Sequence, residues 1–169
     1  MKLRIWAKNG TNLKFLPGYG ILKAAFVIPI SGSSCILKGL MNLLRYLLPM
    51  DFRHRLHSCR EISFEYSRDG HTAIHRYTKG SFSAKRFDPI TYCFDDLGLE
   101  NETQHYGNSC SVMAEILLSH YDYFHSFGML THLTTNLNSG EIEKQYGLRV
   151  RSRFREMFNL VAFPGDKRK

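Results

Sequence analysis

The sequence lacks the cysteine pattern of a disulfide-rich or zinc-binding protein. Its 169 residues include four cysteines, which lie far apart along the chain: Cys35, Cys59, Cys93 and Cys110. None of them forms a C-x-x-C pair, so they are typical of small reduced core residues. Two histidine near-pairs, His54 with His57 and His71 with His75, have no third ligand at a spacing that zinc sites use. The sequence therefore offers no complete zinc site.

Long hydrophobic runs are also absent. An apolar stretch without charge covers the fourteen residues 24–37, and Pro29 and a Ser/Gly tract interrupt its apolar character. A helix that spans a bilayer needs roughly 20 apolar residues. A signal peptide would place its apolar stretch nearer the N-terminus and end in a cleavage site of small residues. We therefore expect a cytoplasmic protein with no membrane partner.

The overall composition excludes several non-globular classes of protein. Apolar residues make up 43% of the chain and charged residues 22%. These ordinary fractions exclude disorder, collagen and coiled coil as descriptions of the whole chain. A chain of this length favours a single core that buries about two-thirds of the unfolded surface. We divide it into a lead-in segment (1–20), a core (21–163) and a basic tail (164–169).

The charge is unevenly distributed along the chain. The formal net charge is +9 over residues 1–60, −6 over residues 61–148 and +5 over residues 149–169, which adds to the total of +8. Two basic blocks around an acidic middle favour a polyanionic partner, with nucleic acid as the first candidate. The alternative is an ordinary solvated basic surface, because net charge alone does not specify a partner.

Apolar runs of strand length alternate with helical patterns. The predicted strands cover residues 24–30, 90–94, 129–135 and 158–163, with 57–62 as a further candidate. Apolar residues recur at helical spacing over residues 35–48, 108–127, and two segments that Gly147 separates. This alternation predicts an α/β fold, a three-layer parallel sheet of about five strands. Ligands of such sheets bind beyond the carboxyl ends of the strands, so the residues that follow each strand are candidate site residues.

The clearest candidates are Asp95 and Asp96, which follow the apolar run Ile90–Phe94. Carboxylates at the end of a dry strand are costly unless a cation or strong donors compensate them. A Mg²⁺ ion shared with nucleotide phosphates would do so, with Asp95 holding the metal and Asp96 polarising an attacking water. The alternative is a helix-capping Asp beside a solvated neighbour.

Two further groups of polar residues are candidates. Asn136 follows the predicted strand 129–135, and its amide can both donate to and accept from a water near a γ-phosphate. A simple turn is the alternative for this position.

The last predicted helix carries four arginines: Arg149, Arg151, Arg153 and Arg155. Arg153 lies beside the apolar stripe, where it can reach the phosphate site of a neighbouring subunit. Arg151 and Arg155, on the other flank, could bind a nucleic-acid backbone. The alternative for these arginines is an ordinary solvated surface.

These motifs, in this order, resemble a known family. The run Tyr-Cys-Phe-Asp-Asp-Leu-Gly-Leu-Glu (92–100) resembles the Walker B strand of DnaC-type helicase loaders and IstB-type transposition ATPases, which belong to the AAA+ class of P-loop NTPases. Thr-Thr-Asn-Leu (134–137) resembles their sensor-one strand. Arg-Val-Arg-Ser-Arg-Phe-Arg-Glu-Met-Phe (149–158) resembles their arginine-finger helix, with the finger at Arg153. The resemblance covers roughly residues 15–163 and is most specific from residue 90 onward.

The resemblance implies a set of ligands and partners. The cofactors would be ATP and Mg²⁺, and the chain would self-assemble with Arg153 of one subunit facing the nucleotide of the next. The partners would be single-stranded DNA, a replicative helicase or a transposase. Ser34 would contribute its hydroxyl to the metal, and the nucleotide would contact Gly32, Ser33 and Ser34.

The sequence departs from the family at its phosphate-binding loop. A Walker A loop has the form G-x-x-x-x-G-K-S/T, and its lysine reaches the β- and γ-phosphates. Aligned on residues 27–34, Gly32 and Ser34 match this pattern, whereas Val27 replaces the first glycine and Ser33 replaces the lysine. By this resemblance, we expect the small helical lid that usually follows an AAA+ sheet to be missing or reduced to a basic tail. Backbone N–H groups at a helix N-terminus still permit weak phosphate binding.

Three functional hypotheses follow from these residues. The first is a DnaC/IstB-like AAA+ protein that acts in DNA replication or transposition, with ATP hydrolysis uncertain because of Ser33 and Val27. The second is a non-hydrolysing relative that serves as a DNA- or protein-binding module. The third is an unrelated α/β enzyme that uses Asp95 and Asp96 with magnesium.

Overall fold

The computed structural model describes residues 5–6, 25–29, 34–48, 50, 53–84, 87–100, 103–105 and 108–161. Its elements, in chain order, are β1 (Ile5–Trp6), β2 (Ala25–Pro29), α1 (Ser34–Leu47), β3 (Arg55–Ser58), α2 (Cys59–Asp69), α3 (His71–Tyr77), β4 (Tyr92–Leu97), β5 (Thr103–His105), β6 (Asn108–Cys110), α4 (Val112–Phe127), β7 (Thr131–Thr135), α5 (Ser139–Met157) and β8 (Phe158–Val161).

The main sheet has six strands in the order β1-β8-β2-β7-β4-β3. The five strands from β8 to β3 are parallel to their neighbours, and the two-residue strand β1 pairs antiparallel with β8 at one edge. Strands β5 and β6 form a separate antiparallel pair. The predicted α/β class with a parallel sheet of about five strands is therefore confirmed.

The sheet lies between two layers of helices. Successive side chains of a strand point to opposite faces of the sheet, so the contacts of neighbouring residues show which helices cover each face. On one face, Tyr92 and Phe94 of β4 join the main core together with buried residues of α2, α3, α4 and α5. On the other face, Asp95 of β4 meets Lys38 of α1, with 3.4 Å between Asp95 Oδ2 and Lys38 Nζ. Helix α1 thus covers the face opposite to the other helices, which confirms the three-layer arrangement.

Two predicted boundaries are wrong. The candidate strand 57–62 ends at Ser58, and helix α2 begins at Cys59. The segment is helical because Cys59, Ile62 and Tyr66 recur at helical spacing and all three are buried in the core. Residues 108–110, which were predicted as the start of a helix, form β6, and helix α4 begins at Val112.

The start and the break of the last helix agree with the sequence. Asn138 and Glu141 form a reciprocal capping box, in which the Asn138 side chain accepts from the Glu141 N–H and the Glu141 carboxylate accepts from the Asn138 N–H. Gly147 interrupts α5 with φ 87° and ψ 163°, which a helix cannot contain. The predicted separation of two helical segments at this glycine is confirmed.

The predicted ends of the chain lie mostly outside the described residues. Of the lead-in segment, residues 5–6 form β1, and the tail 164–169 is not among the described residues. Within the part of the chain that the structure describes, no helix follows β8. Among those same residues, no helix combines the length and the apolarity that crossing a membrane requires.

Candidate functional site

The carboxyl ends of four strands lie at one edge of the sheet. The register pairs Ser58 of β3 with Asp95 of β4, and Leu97 of β4 with Thr135 of β7. Thr135 is in turn level with Pro29, the last residue of β2. The carboxyl ends of β2, β3, β4 and β7 therefore lie at the same edge, where parallel sheets bind ligands.

Asp95 is the most deeply buried acid of this edge. Its side chain is 1% exposed, and its Oδ1 accepts a hydrogen bond from the hydroxyl of Thr134, at 2.7 Å. Its Oδ2 is buried and accepts no hydrogen bond from the described residues. The charge partner of Oδ2 is Lys38, whose side chain is 52% exposed. The carboxylate is thus held firmly on one oxygen and incompletely compensated on the other.

Asp96 has an unusual backbone conformation next to this carboxylate. Its φ of 59° lies in the left-handed region, and the register between β4 and β7 shifts between Phe94 and Leu97. The Asp96 N–H donates to Thr134 Oγ1 at 2.8 Å. Because Thr134 accepts from the Asp96 N–H and donates to the Asp95 carboxylate, one threonine on β7 holds the Asp96 backbone and the Asp95 side chain. A left-handed non-glycine residue stores strain of the kind found at functional sites.

The Leu-Gly-x-Glu pattern after the acids locks this edge to helix α5. Gly98 has φ 102°, and a Cβ there would lie 2.6 Å from Leu137 Cδ1, so the position requires glycine. Glu100 accepts from the Gly98 N–H at 2.8 Å and from the hydroxyl of Tyr146 on α5. Burial raises the pKa of Glu100 above its ordinary value, and the Tyr146 hydrogen bond partly offsets this.

A second set of contacts ties β4 to the turn after β7. The Thr135 hydroxyl donates to the Leu97 carbonyl at 2.7 Å and accepts from the Leu137 N–H at 3.1 Å. The Thr-Thr-Asn-Leu motif therefore consists of two threonines that form hydrogen bonds with β4, an exposed Asn136, and a leucine that lies against Gly98. Asn136 lies at the same edge as the acids, two residues after Thr134.

The predicted phosphate loop connects β2 to α1. Gly32 and Ser33 lie outside the described residues, and Ser34 is the first residue of α1. Val27, which the sequence alignment puts at the first glycine position, is the central residue of β2, paired with Leu133 of β7 and Leu160 of β8. The chain is thus extended at Val27, not in a turn.

Arg153 contacts helix α4 of the same chain. Its guanidinium carbon lies 4.4 Å from the centre of the Tyr121 ring, and its Nη1 donates to the Tyr121 hydroxyl at 2.9 Å. Glu156, one turn along α5, lies 3.7 Å from the same Nη1. The side chain remains 37% exposed. The two arginines predicted to bind DNA differ, since Arg151 forms an ion pair with Glu143 and Arg155 is exposed.

Two contacts of Asp95, one with Thr134 and one with Lys38, are not predicted from the sequence. Thr134 lies on the same sheet face as Asp95, because its hydroxyl donates to Asp95 Oδ1. Lys38 contacts Asp95 from the first turns of α1. Its signal was that it is the first charged residue of α1, on a helix that begins at the carboxyl edge.

The remaining titratable residues do not assemble into a metal centre. Among the described residues, no group of three or more His, Cys, Asp or Glu side chains could hold a metal ion. Cys59 and Cys93 are buried free thiols, and burial raises the pKa of both. Magnesium does not need such a cage, because it is commonly bound by one or two carboxylates together with waters and substrate phosphates.

Comparisons with known proteins agree with this architecture. No family model matches the sequence, and no curated protein matches it. Among solved structures, the crystal structure of the DnaC helicase loader is similar, with a TM-score of 0.53 and 16% sequence identity over 85% of this chain and 80% of that chain. At this identity the likeness concerns the fold alone. The chain therefore has a fold similar to that of this loader.

Proposed function

We propose that the chain is a DnaC-like ATP-binding protein that acts in DNA replication or transposition, with weak or absent ATP hydrolysis. The observation that supports this most is the buried Asp95, which accepts a hydrogen bond from Thr134 on the neighbouring strand. It lies at the edge of the sheet where β2 ends. The DnaC-like fold makes this edge the expected nucleotide site.

The loop between β2 and α1 would receive the phosphates. Gly32, Ser33 and Ser34 would contact them, and the backbone N–H groups at the start of the 14-residue helix α1 would donate to them. Ser33 supplies a hydroxyl where a Walker A loop has a lysine. Because an ammonium group is missing at this position, we expect weak nucleotide binding.

The acids fit a magnesium ion. Asp95 Oδ2 is a buried carboxylate oxygen that accepts no hydrogen bond from the described residues, which is the type of ligand that Mg²⁺ prefers. Asp95 and Ser34 would hold the ion, which would neutralise phosphate charge when bound. Asp96 and Asn136 would orient a water at the same edge, with Asp96 accepting its proton.

The arginines would act between molecules. In a homo-oligomer, Arg153 would leave Tyr121 and reach the nucleotide of a neighbouring subunit, where its planar guanidinium stabilises spread negative charge. Arg151 and Arg155 would contact single-stranded DNA, and a replicative helicase or a transposase would be the protein partner. The exposure of Arg155 supports a backbone contact.

A titration with a fluorescent ATP analogue tests this proposal. We expect saturable binding that Mg²⁺ strengthens, and we expect Asp95→Asn to remove the Mg²⁺ effect. Asp122→Asn, an exposed acid on α4, is the matched control and should behave as the wild type. The proposal is refuted if the chain does not bind the analogue and if millimolar ATP changes neither its self-assembly nor its association with DNA.

A second candidate function is a non-hydrolysing DNA- or protein-binding module with the same fold. Ser33 and the extended backbone at Val27 favour it, because neither position has the features of a working phosphate loop. The discriminating variants are Ser33→Lys alone and Ser33→Lys with Val27→Gly. If either creates strong nucleotide binding and turnover that the wild type lacks, the second candidate is correct. Brisk ATP hydrolysis by the wild type would exclude it.

A further inference from the structure

The ion pair between Lys38 and Asp95 occupies the position where the proposed function needs a metal ion. Lys38 lies on α1 and Asp95 on β4, and the atoms in contact are Lys38 Nζ and Asp95 Oδ2 at 3.4 Å. The carboxylate is 1% exposed, whereas the lysine is half exposed. One partner is therefore fixed in the sheet, and the other can move on a flexible four-carbon stem.

Hydrogen bonding leaves Oδ2 as the oxygen that is open to a cation. The Asp96 N–H donates to Thr134 Oγ1, so the Thr134 hydroxyl must direct its own proton elsewhere, and it donates to Asp95 Oδ1. Oδ2 accepts no hydrogen bond from the described residues. A buried carboxylate oxygen with a single charge contact is poorly compensated and attracts further positive charge.

A divalent ion cannot share this oxygen with the ammonium group. Two cations within about 4 Å of each other repel strongly at a site that is shielded from water. Because Asp95 is anchored by Thr134 and Lys38 is not similarly buried, the lysine is the group that must leave.

We propose that Lys38 is a built-in competitor for the metal at Asp95: it neutralises the carboxylate in the ligand-free chain, and a divalent cation binds only after displacing it. This inference rests on the proposed nucleotide site and concerns its regulation. It assigns Lys38 the role of a residue that tunes metal affinity through Asp95, not that of a catalytic residue.

Mn²⁺ alone, measured by the electron paramagnetic resonance signal of the free ion, is the probe. The variants are Lys38→Met, which keeps most of the stem and removes the charge, and Lys38→Arg, which retains the charge. We expect Lys38→Met to bind Mn²⁺ roughly tenfold or more tightly than the wild type, and Lys38→Arg to remain as weak as the wild type. Lys144→Met, an exposed lysine on α5, is the matched control and should change nothing.

The double variant Lys38→Met with Asp95→Asn locates the effect. It should lose the affinity that Lys38→Met gained. Equal Mn²⁺ binding by wild type and Lys38→Met would overturn the inference, and so would a gain that survives in the double variant. Circular dichroism checks that each variant is folded.

A measurement on the unaltered chain covers the case in which Lys38→Met does not fold. Amine acylation followed by mass spectrometry reports how accessible Lys38 Nζ is with and without Mn²⁺. Displacement predicts several-fold faster labelling of Lys38 in the presence of Mn²⁺ and unchanged labelling of Lys144. Unchanged labelling of Lys38 at saturating Mn²⁺ would overturn the inference.

The metal experiment and the nucleotide experiment fail separately. If Lys38→Met gains an Asp95-dependent Mn²⁺ site but no variant binds the ATP analogue, the competition exists and the proposed function is wrong. If the ATP analogue binds with a Mg²⁺ dependence that Lys38→Met does not alter, the nucleotide site exists and the competition does not.

Discussion

Acidification should destabilise this protein through His120, a histidine that is buried in its neutral form. The ring is fully buried between α4 and β7, with Nε2 at 2.7 Å from the Tyr77 carbonyl oxygen and Nδ1 at 2.7 Å from Thr131 Oγ1. A carbonyl can only accept, so Nε2 carries the proton and Nδ1 accepts from the threonine hydroxyl. Burial lowers the pKa of His120 to about 4.

The sign and size of the effect follow from this shift. The folded state holds His120 neutral down to about pH 4, whereas the unfolded chain takes up a proton near its ordinary value of about 6.5. The unfolded state therefore binds more protons between these values, and stability falls as the pH is lowered through this window. At about 1.4 kcal/mol per pKa unit, acidification from pH 7 to pH 4 removes about 3 kcal/mol through His120 alone. This is a large share of the roughly 5–15 kcal/mol that holds a domain folded.

Urea unfolding at pH 7, 6, 5 and 4 measures this loss. His120→Gln cannot gain the charge, so its stability should fall by about 3 kcal/mol less than that of the wild type between pH 7 and pH 4. His75→Gln, an exposed histidine on α3, is the control and should retain the full wild-type dependence. If His120→Gln shows the same pH dependence as the wild type, the reasoning is refuted. His132, whose pKa burial also lowers to about 4, adds a loss in the same direction.

Three substitutions test the contacts at the carboxyl edge and the start of α5. Gly98→Ala should lower the free energy of unfolding by roughly 2–4 kcal/mol, because the new Cβ would meet Leu137 at 2.6 Å and the backbone is left-handed. Thr134→Val should cost roughly 2–4 kcal/mol, since it removes the hydroxyl between Asp95 and the neighbouring N–H. Asn138→Ala should cost about 1 kcal/mol through loss of the helix cap. Chemical unfolding at neutral pH measures all three.

Each of these substitutions has a matched control. Gly128→Ala also places a side chain at positive φ, but nothing lies within 4 Å of the new Cβ, so it should cost clearly less than Gly98→Ala. Thr134→Ser keeps the hydroxyl and should restore most of the stability that the valine variant loses. Asn136→Ala, at an exposed position beside the cap, should change stability by less than about 0.5 kcal/mol. Controls as destabilising as the test variants would contradict the assigned contacts.

The sequence predicted the features that depend on local pattern. Alternating strand and helix signals gave the parallel sheet, and the capping box at Asn138 and the break at Gly147 were visible as residue types at fixed spacing. The boundary of α2 was missed because a short run such as His57–Ile62 fits a strand as well as the first turn of a helix. Only the tertiary core, which buries Cys59 and Ile62 together, decides between them.

The contacts that define the candidate site depend on register, and the sequence does not encode register directly. The spacing placed Asp95 and Asn136 at neighbouring strand ends, but the residue that contacts Asp95 is Thr134, which the pairing of β4 with β7 decides. The Lys38 contact depends on how α1 crosses the sheet. The contact of Arg153 with Tyr121 joins residues 32 positions apart on different helices. Such contacts require the packed structure.

Helix α5 joins two parts of the molecule that the proposed function uses differently. Its first segment ends at Tyr146, which is hydrogen-bonded to Glu100 and thereby tied to the loop that follows the acids. Gly147 then breaks the helix, and the second segment carries Arg153, whose described contacts are with Tyr121 of α4 and with Glu156 of its own segment. The helical hydrogen-bond ladder does not run straight through this break, and Val150 of the second segment is buried in the same core as Tyr146 of the first. The proposed function would require Arg153 to leave Tyr121 and serve a neighbouring molecule rather than the carboxyl edge of its own chain.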